Sequence, residues 1–158
     1  MGRKTGFFIE KGMDELKASL VKMPKKYIDV STIVMFNISV DIMELAKTRI
    51  PLESGALRDS GFLLDPSYKG KSKVDLEFGF TGPYAIVQHE NLSYNHPGLN
   101  SKNKTGGAQG QAKYLETSVN QMEGRLNTEI AAAIKRFTET ERMPTLKKTD
   151  LKKTKDSA

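Results

Sequence analysis

The hydrophobic positions of this chain change period along its length. Val30, Ile33, Val34, Ile38, Ile42, Leu45 and Ala46 recur at helical intervals, and Met35, Phe36, Val40 and Met43 widen the stripe to most of the circumference. That spacing predicts a helix over 30–49, ending before Pro51, which must be covered by sheet, by a second helix or by another subunit. Ahead of it, Leu16, Leu20 and Met23 predict a short helix interrupted near Pro24, because proline disfavours helix in the residue before it and lacks the donor a helix interior needs. After Pro51 the period shortens to two. Val74, Leu76, Phe78 and Phe80 alternate with Lys73, Asp75, Glu77 and Gly79, so one face of that strand is core and the other wet. Residues 66–72 read as a hairpin connection to a preceding strand over 57–65, and 84–89 form a short apolar element compatible with helix or strand. A final stripe of Tyr114, Leu115, Val119, Met122, Leu126, Ile130, Ala133, Ile134 and Phe137 predicts a long amphipathic helix ending before Pro144.

These elements predict an α+β fold: an antiparallel sheet with a hairpin, holding 57–65 and 73–81, packed against helices over 30–49 and 113–140. The expected organisation is an N-terminal helical arm over 1–29, a single body over 30–143 and a flexible tail over 144–158. At 158 residues the chain has room for one core. Residues 91–111, with four Asn and four Gly, make a long loop of the kind that is either functional or disordered, and partner contact is expected there.

Charge alters this picture only at the ends. The net charge is +6, but residues 1–29 carry seven Lys or Arg against four acids, residues 145–158 carry five Lys against two acids, and the body between is balanced. Basic tails that reach a polyanion or an acidic neighbouring protein are therefore expected, rather than a basic face on the domain. The tail should be disordered alone and extend from the body. No apolar stretch is long enough to span a bilayer, since Asn37, Asp41 and Glu44 break 32–46, and no secretory leader is evident, so a soluble protein of the cytoplasm is expected. The absence of cysteine excludes disulfides, thiolate metal sites and cysteine nucleophiles.

Candidate chemistry is thin. His89, Glu90 and His96 invite a metal reading, but their spacing does not match a helical His-Glu-x-x-His site and the chain has no third His or Cys. A structural His89 at the end of an element is the expectation. Ser54, Ser60 and His89 build no nucleophile elbow, and Gly70-Lys71-Ser72 lacks the spacing of a phosphate loop. Phe78 and Phe80 share a strand face that could stack bases, yet Val74 and Leu76 on the same face assign it to the core. No catalytic residue, cofactor or metal is expected.

Four ordered motifs resemble the small neck proteins of tailed bacteriophages, a family of minor capsid or head-to-tail joining proteins. They are the helix end through Pro51 followed by Ser54-Gly55-Ala56-Leu57-Arg58-Asp59-Ser60; then Tyr84-Ala85-Ile86-Val87-Gln88-His89-Glu90; then His96-Pro97; then Gly110-Gln111-Ala112-Lys113-Tyr114-Leu115-Glu116. The likeness spans roughly residues 30–137 and leaves 98–109 and both basic ends outside it. It implies a non-enzymatic virion protein that assembles as a homo-oligomeric ring, six-fold by expectation, at the head–tail interface. Its partners would be portal-side connector or head-closure proteins and tail terminator or tail tube proteins, close to packaged DNA, with no membrane and no small-molecule substrate. Within that pattern Ser54 and Gly55 redirect chain from helix to strand, Tyr84 and His89 buttress the long loop, and Lys113 opens the last helix. Lys147, Lys148, Lys152 and Lys153 of the tail are expected to dock on an acidic neighbour. The competing reading is an accessory protein that binds DNA through its charged termini.

Overall fold

The structure, a computed structural model, describes residues 24–50, 55–69, 73–82, 85–93 and 112–153. Its elements are α1 (Lys25–Arg49), α2 (Ala56–Asp59), β1 (Gly61–Leu63), β2 (Ser67–Lys69), β3 (Lys73–Asp75), β4 (Phe78–Phe80), α3 (Ala85–Glu90) and α4 (Tyr114–Thr140). The fold is α+β, with two long helices packed on each other and on a small antiparallel hairpin. Among the described residues no helix is long and apolar enough to cross a membrane.

α1 starts directly after Pro24, whose ring cannot continue a helix backwards, and runs unbroken past 29 and 30. The break lies at Pro24 as the sequence pattern predicts, but the helix begins at Lys25, five residues before the expected start at 30, and residues 1–23 of the arm lie outside the described residues. The helix is buried on most sides, from Ile28 and Val30 through Val34, Ile38 and Met43 to Ala46. Its small polar residues tolerate that burial because the hydroxyls of Ser31, Thr32 and Ser39 donate to the carbonyls of Tyr27, Ile28 and Met35, four residues back, at 2.7–2.9 Å.

α4 lays the predicted stripe on α1. Tyr114, Leu115, Ile130 and Phe137 are buried, and Val119, Met122, Leu126, Ala133 and Ile134 pack half-buried against the core. It ends at Thr140 with Glu141 in the left-handed region at φ +54, where the Glu141 N–H donates to the Phe137 carbonyl at 2.8 Å.

The hairpin is longer than expected and carries a bulge. β1 pairs with β4 in the register Gly61 to Phe80, Phe62 to Gly79 and Leu63 to Phe78. β2 pairs with β3 as Ser67 to Asp75, Tyr68 to Val74 and Lys69 to Lys73. Between the two ladders 64–66 faces 76–77, one residue more on the first side, and Pro66, without an N–H to offer, sits in that excess. The strands thus continue into the expected connection, where the Tyr68 hydroxyl donates to Asp29 of α1 at 3.0 Å. The expected core face is present: Phe80 is buried, and Leu76 and Phe78 pack against the same core. The expected strand over 57–65 is shorter. Residues 56–59 make a helical turn instead, with the Asp59 and Ser60 N–H groups donating to the Gly55 and Ala56 carbonyls at 3.0 Å.

The tail departs from expectation most. Residues 141–153 run back across the body rather than away from it. Leu151 is buried in the core cluster, and Lys152 forms a parallel bridge with Phe62, making β1 a middle strand between β4 and the returning chain. The Leu63 N–H donates to the Lys152 carbonyl at 3.0 Å, and the Lys152 N–H to the Gly61 carbonyl at 3.4 Å. Composition predicts disorder here because a lysine-rich stretch with few apolar residues cannot make a core of its own. It need not, because the body supplies the core and the acids.

Candidate functional site

The second and fourth motifs meet at one place. α3 is a short helix whose inner side carries Ala85 and His89, both buried. Tyr114, in the first turn of α4, fills the space beside them. Its ring lies edge-on to His89 with centroids 4.9 Å apart and edge-on to Phe80 at 5.5 Å, and its hydroxyl donates to the Ala85 carbonyl at 3.2 Å. Burial holds the Tyr114 hydroxyl protonated well above the usual tyrosine range. One aromatic residue thus joins the sheet, α3 and α4.

Lys113 closes the same junction on the outside. It enters α4 in the left-handed region at φ +54, an unusual conformation for a residue with a Cβ. The reason is visible in its bonds. Its N–H donates to the His89 carbonyl at 2.7 Å, and its ammonium reaches Glu90 Oε2 at 2.5 Å and Glu116 Oε2 at 3.3 Å. The other Glu90 oxygen, Oε1, lies 2.8 Å from His89 Nδ1. Lys113 first, and His89 second, hold the Glu90 carboxyl below the usual glutamate range, while Glu90 and then Glu116 raise the Lys113 ammonium. The result is a clamp in which imidazole, carboxylate and ammonium engage one another. Among the described residues no group of three or more metal-binding side chains is gathered.

The first motif forms a tight corner. Gly55 adopts φ +76, which a side chain would resist, and starts α2. Leu57 packs half-buried on the core and Arg58 stands in the last turn of α2. Ser60, quoted in the motif but not expected as a site residue, fixes the corner. Its hydroxyl donates to the Leu57 carbonyl at 2.7 Å and accepts from the Gly82 N–H at 3.0 Å, tying α2 to the end of β4. Ser54, Tyr84 and His96 lie outside the described residues.

The basic residues of the tail are engaged unequally. Lys147 pairs with Asp41, and Lys153 with Asp65 at 3.1 Å, whereas the side chains of Lys148 and Lys152 are exposed. Sequence reasoning treats Asn37 and Asp41 as polar interruptions of an apolar helix. They are the seats of the returning chain: Asn37 Nδ2 donates to the Thr145 carbonyl at 2.9 Å, and Asn37 Oδ1 accepts from the Lys147 N–H at 2.8 Å. Asp41 also receives Arg125 of α4 at 3.2 Å, and Arg125 in turn holds Glu129 at 2.6 Å. Arg49 bridges the helices further along, donating to Ser118 Oγ at 3.0 Å and to Gln121 Oε1. The available signal was the four-residue separation of Asn37 and Asp41, which puts both on one side of α1.

No family model, curated protein or solved structure matches the chain.

Proposed function

We propose that this chain is a structural subunit of the tailed-phage neck, without catalytic turnover, which joins head to tail as part of a ring. The observation that carries the reading is the clamp. Two motifs separated by about twenty residues of sequence, 84–90 and 110–116, were grouped by their resemblance to neck proteins. They converge on the contacts of His89 with Tyr114 and of Glu90 with Lys113. A ring subunit needs a stiff body that presents variable segments to its neighbours, and the clamp fixes both ends of the long connection on such a body. Lys147 and Lys153 are paired with acids of the body, which takes these two groups both from the expected docking on an acidic neighbour and from the competing DNA-binding reading.

The test is genetic. A phage encoding this chain, given an early stop codon in its gene, should yield filled heads and free tails by electron microscopy, and purified protein added to the extract should restore joined, infectious particles. Normally joined particles from the stop mutant would refute the proposal. Tight binding of the purified chain to duplex DNA, lost steeply as salt rises, would favour the rival.

A further inference from the structure

The returning chain 145–153 behaves as a peptide seated in a site of defined chemistry. Its contacts with the body are few and separate: two hydrogen bonds to Asn37, a lysine on Asp41, a buried leucine beside Gly61, a two-bond bridge to β1 and a lysine on Asp65. Gly61 shows how closely the leucine fits, since a Cβ there would stand 3.3 Å from Leu151 Cδ2 and 3.1 Å from the Phe80 ring. Beside the strap runs an open groove of about 600 Å³, lined by Thr32, Phe36, Pro66 and Tyr68 of the body and Leu146 and Lys147 of the strap.

We propose that this strap is exchanged between copies of the chain: residues 145–153 of one molecule leave their own seat and occupy the same seat, on α1 and β1, of a second molecule. Three observations favour a second copy as the occupant. Every contact named above pairs a strap residue with a body residue, so each is remade unchanged when the strap comes from a neighbour. The connection between α4 and the strap is short and strained, with Glu141 at φ +54 and Pro144 three residues later, and a short hinge under strain opens readily into an exchanged form. Opening gives the four hinge residues 141–144 a reach of about 13 Å. Finally, Met143 within the hinge and Leu146 just after it are 45% and 54% exposed. In an exchanged pair they lie where the two crossing chains run past each other, which gives exposed apolar surface a place to be buried. Exchange stands on these contacts and does not require that the chain serve in a phage neck.

The experiment uses the unmodified chain. Equal amounts of heavy-isotope-labelled and unlabelled protein are unfolded together, refolded at high concentration and treated with a zero-length carbodiimide, which converts close lysine–carboxylate pairs into amides. Peptides joining Lys153 to Asp65 and Lys147 to Asp41 are then read by mass spectrometry. Exchange predicts that dimers and larger species hold mixed-isotope cross-links as abundantly as same-isotope ones. Same-isotope cross-links alone, in every assembly state recovered, would overturn it. Because the assay uses purified protein, its outcome is separate from that of the stop-codon phage.

Discussion

Truncating Leu151 should detach the strap without unfolding the body. Leu151 is 6% exposed and packs into the main core cluster, so Leu151→Ala removes about 2 kcal/mol of apolar burial from a segment with little else of that kind. The remaining ties are weaker one by one. The two β1 hydrogen bonds, at 3.0 and 3.4 Å, are worth about 1 kcal/mol each. The lysine pairs with Asp41 and Asp65 have side chains 46% and 65% exposed on the lysine side, where such pairs contribute about 0–1 kcal/mol. A loss of about 2 kcal/mol raises the detached population about thirty-fold. Trypsin reads that population directly, because Lys147, Lys148, Lys152 and Lys153 lie on the strap and cleavage of a transiently opened segment follows its equilibrium opening. The expected result is cleavage at these lysines about thirty-fold faster than in the parent chain, leaving a resistant fragment that retains α1 and α4. An unchanged cleavage rate would show that Leu151 does not hold the strap. Simultaneous loss of the whole chain would show that strap and body are one cooperative unit.

Gly124 lies in the interior of α4 with open space where a Cβ would go, so Gly124→Ala should stabilise the protein by about 0.8–1 kcal/mol in denaturant titration; a lower midpoint would mean that this face of α4 is covered. Ser60→Ala should cost about 1–3 kcal/mol in the same assay, because the buried hydroxyl is the partner of both the Leu57 carbonyl and the Gly82 N–H, and a neutral effect would remove it from the corner. The Glu90 carboxyl is depressed in the folded state, so its contribution is present above the ordinary glutamate pKa of 4.5 and is lost as pH falls through the lower folded value. Melting curves across that acid limb should therefore fall less steeply for Glu90→Gln than for the parent, by a small amount because the side chain is 45% exposed; parallel curves would refute the assignment.

Periodicity made the helices legible because it reports which side of an element is buried. The α4 stripe from Tyr114 to Phe137 packs as its spacing implies, and the over-wide stripe of α1 corresponds to a helix buried on most sides. Periodicity does not report what lies opposite. Asn37 and Asp41 break the α1 pattern because their partners come from residues 145–147, a hundred positions away. The helical turn at 56–59 was hidden because Leu57 sits as well on a strand as on a single helical turn, and the choice is made by Gly55 and the Ser60 hydroxyl. Net charge misled at the tail, since a count of lysines does not show that the body holds Asp41 and Asp65 ready for them. Of the candidate site, the convergence of His89, Glu90, Lys113 and Tyr114 was legible only as a resemblance in motif order, because nothing local in either segment names the other.

The bond from the Lys113 N–H to the His89 carbonyl, 2.7 Å long, has a consequence for how this protein can vary. It holds the chain that leaves α3 beside the chain that enters α4, so the body has already met most of the entropic demand of bringing those two ends together. For a flexible insert closed at such a point, each doubling of length costs only about 0.6 kcal/mol. Added length between Ser93 and Ala112 therefore carries only a small closure cost for the helices and hairpin. An engineer can use that pinned junction to add a foreign epitope between the two points, with the body serving as its rigid mount.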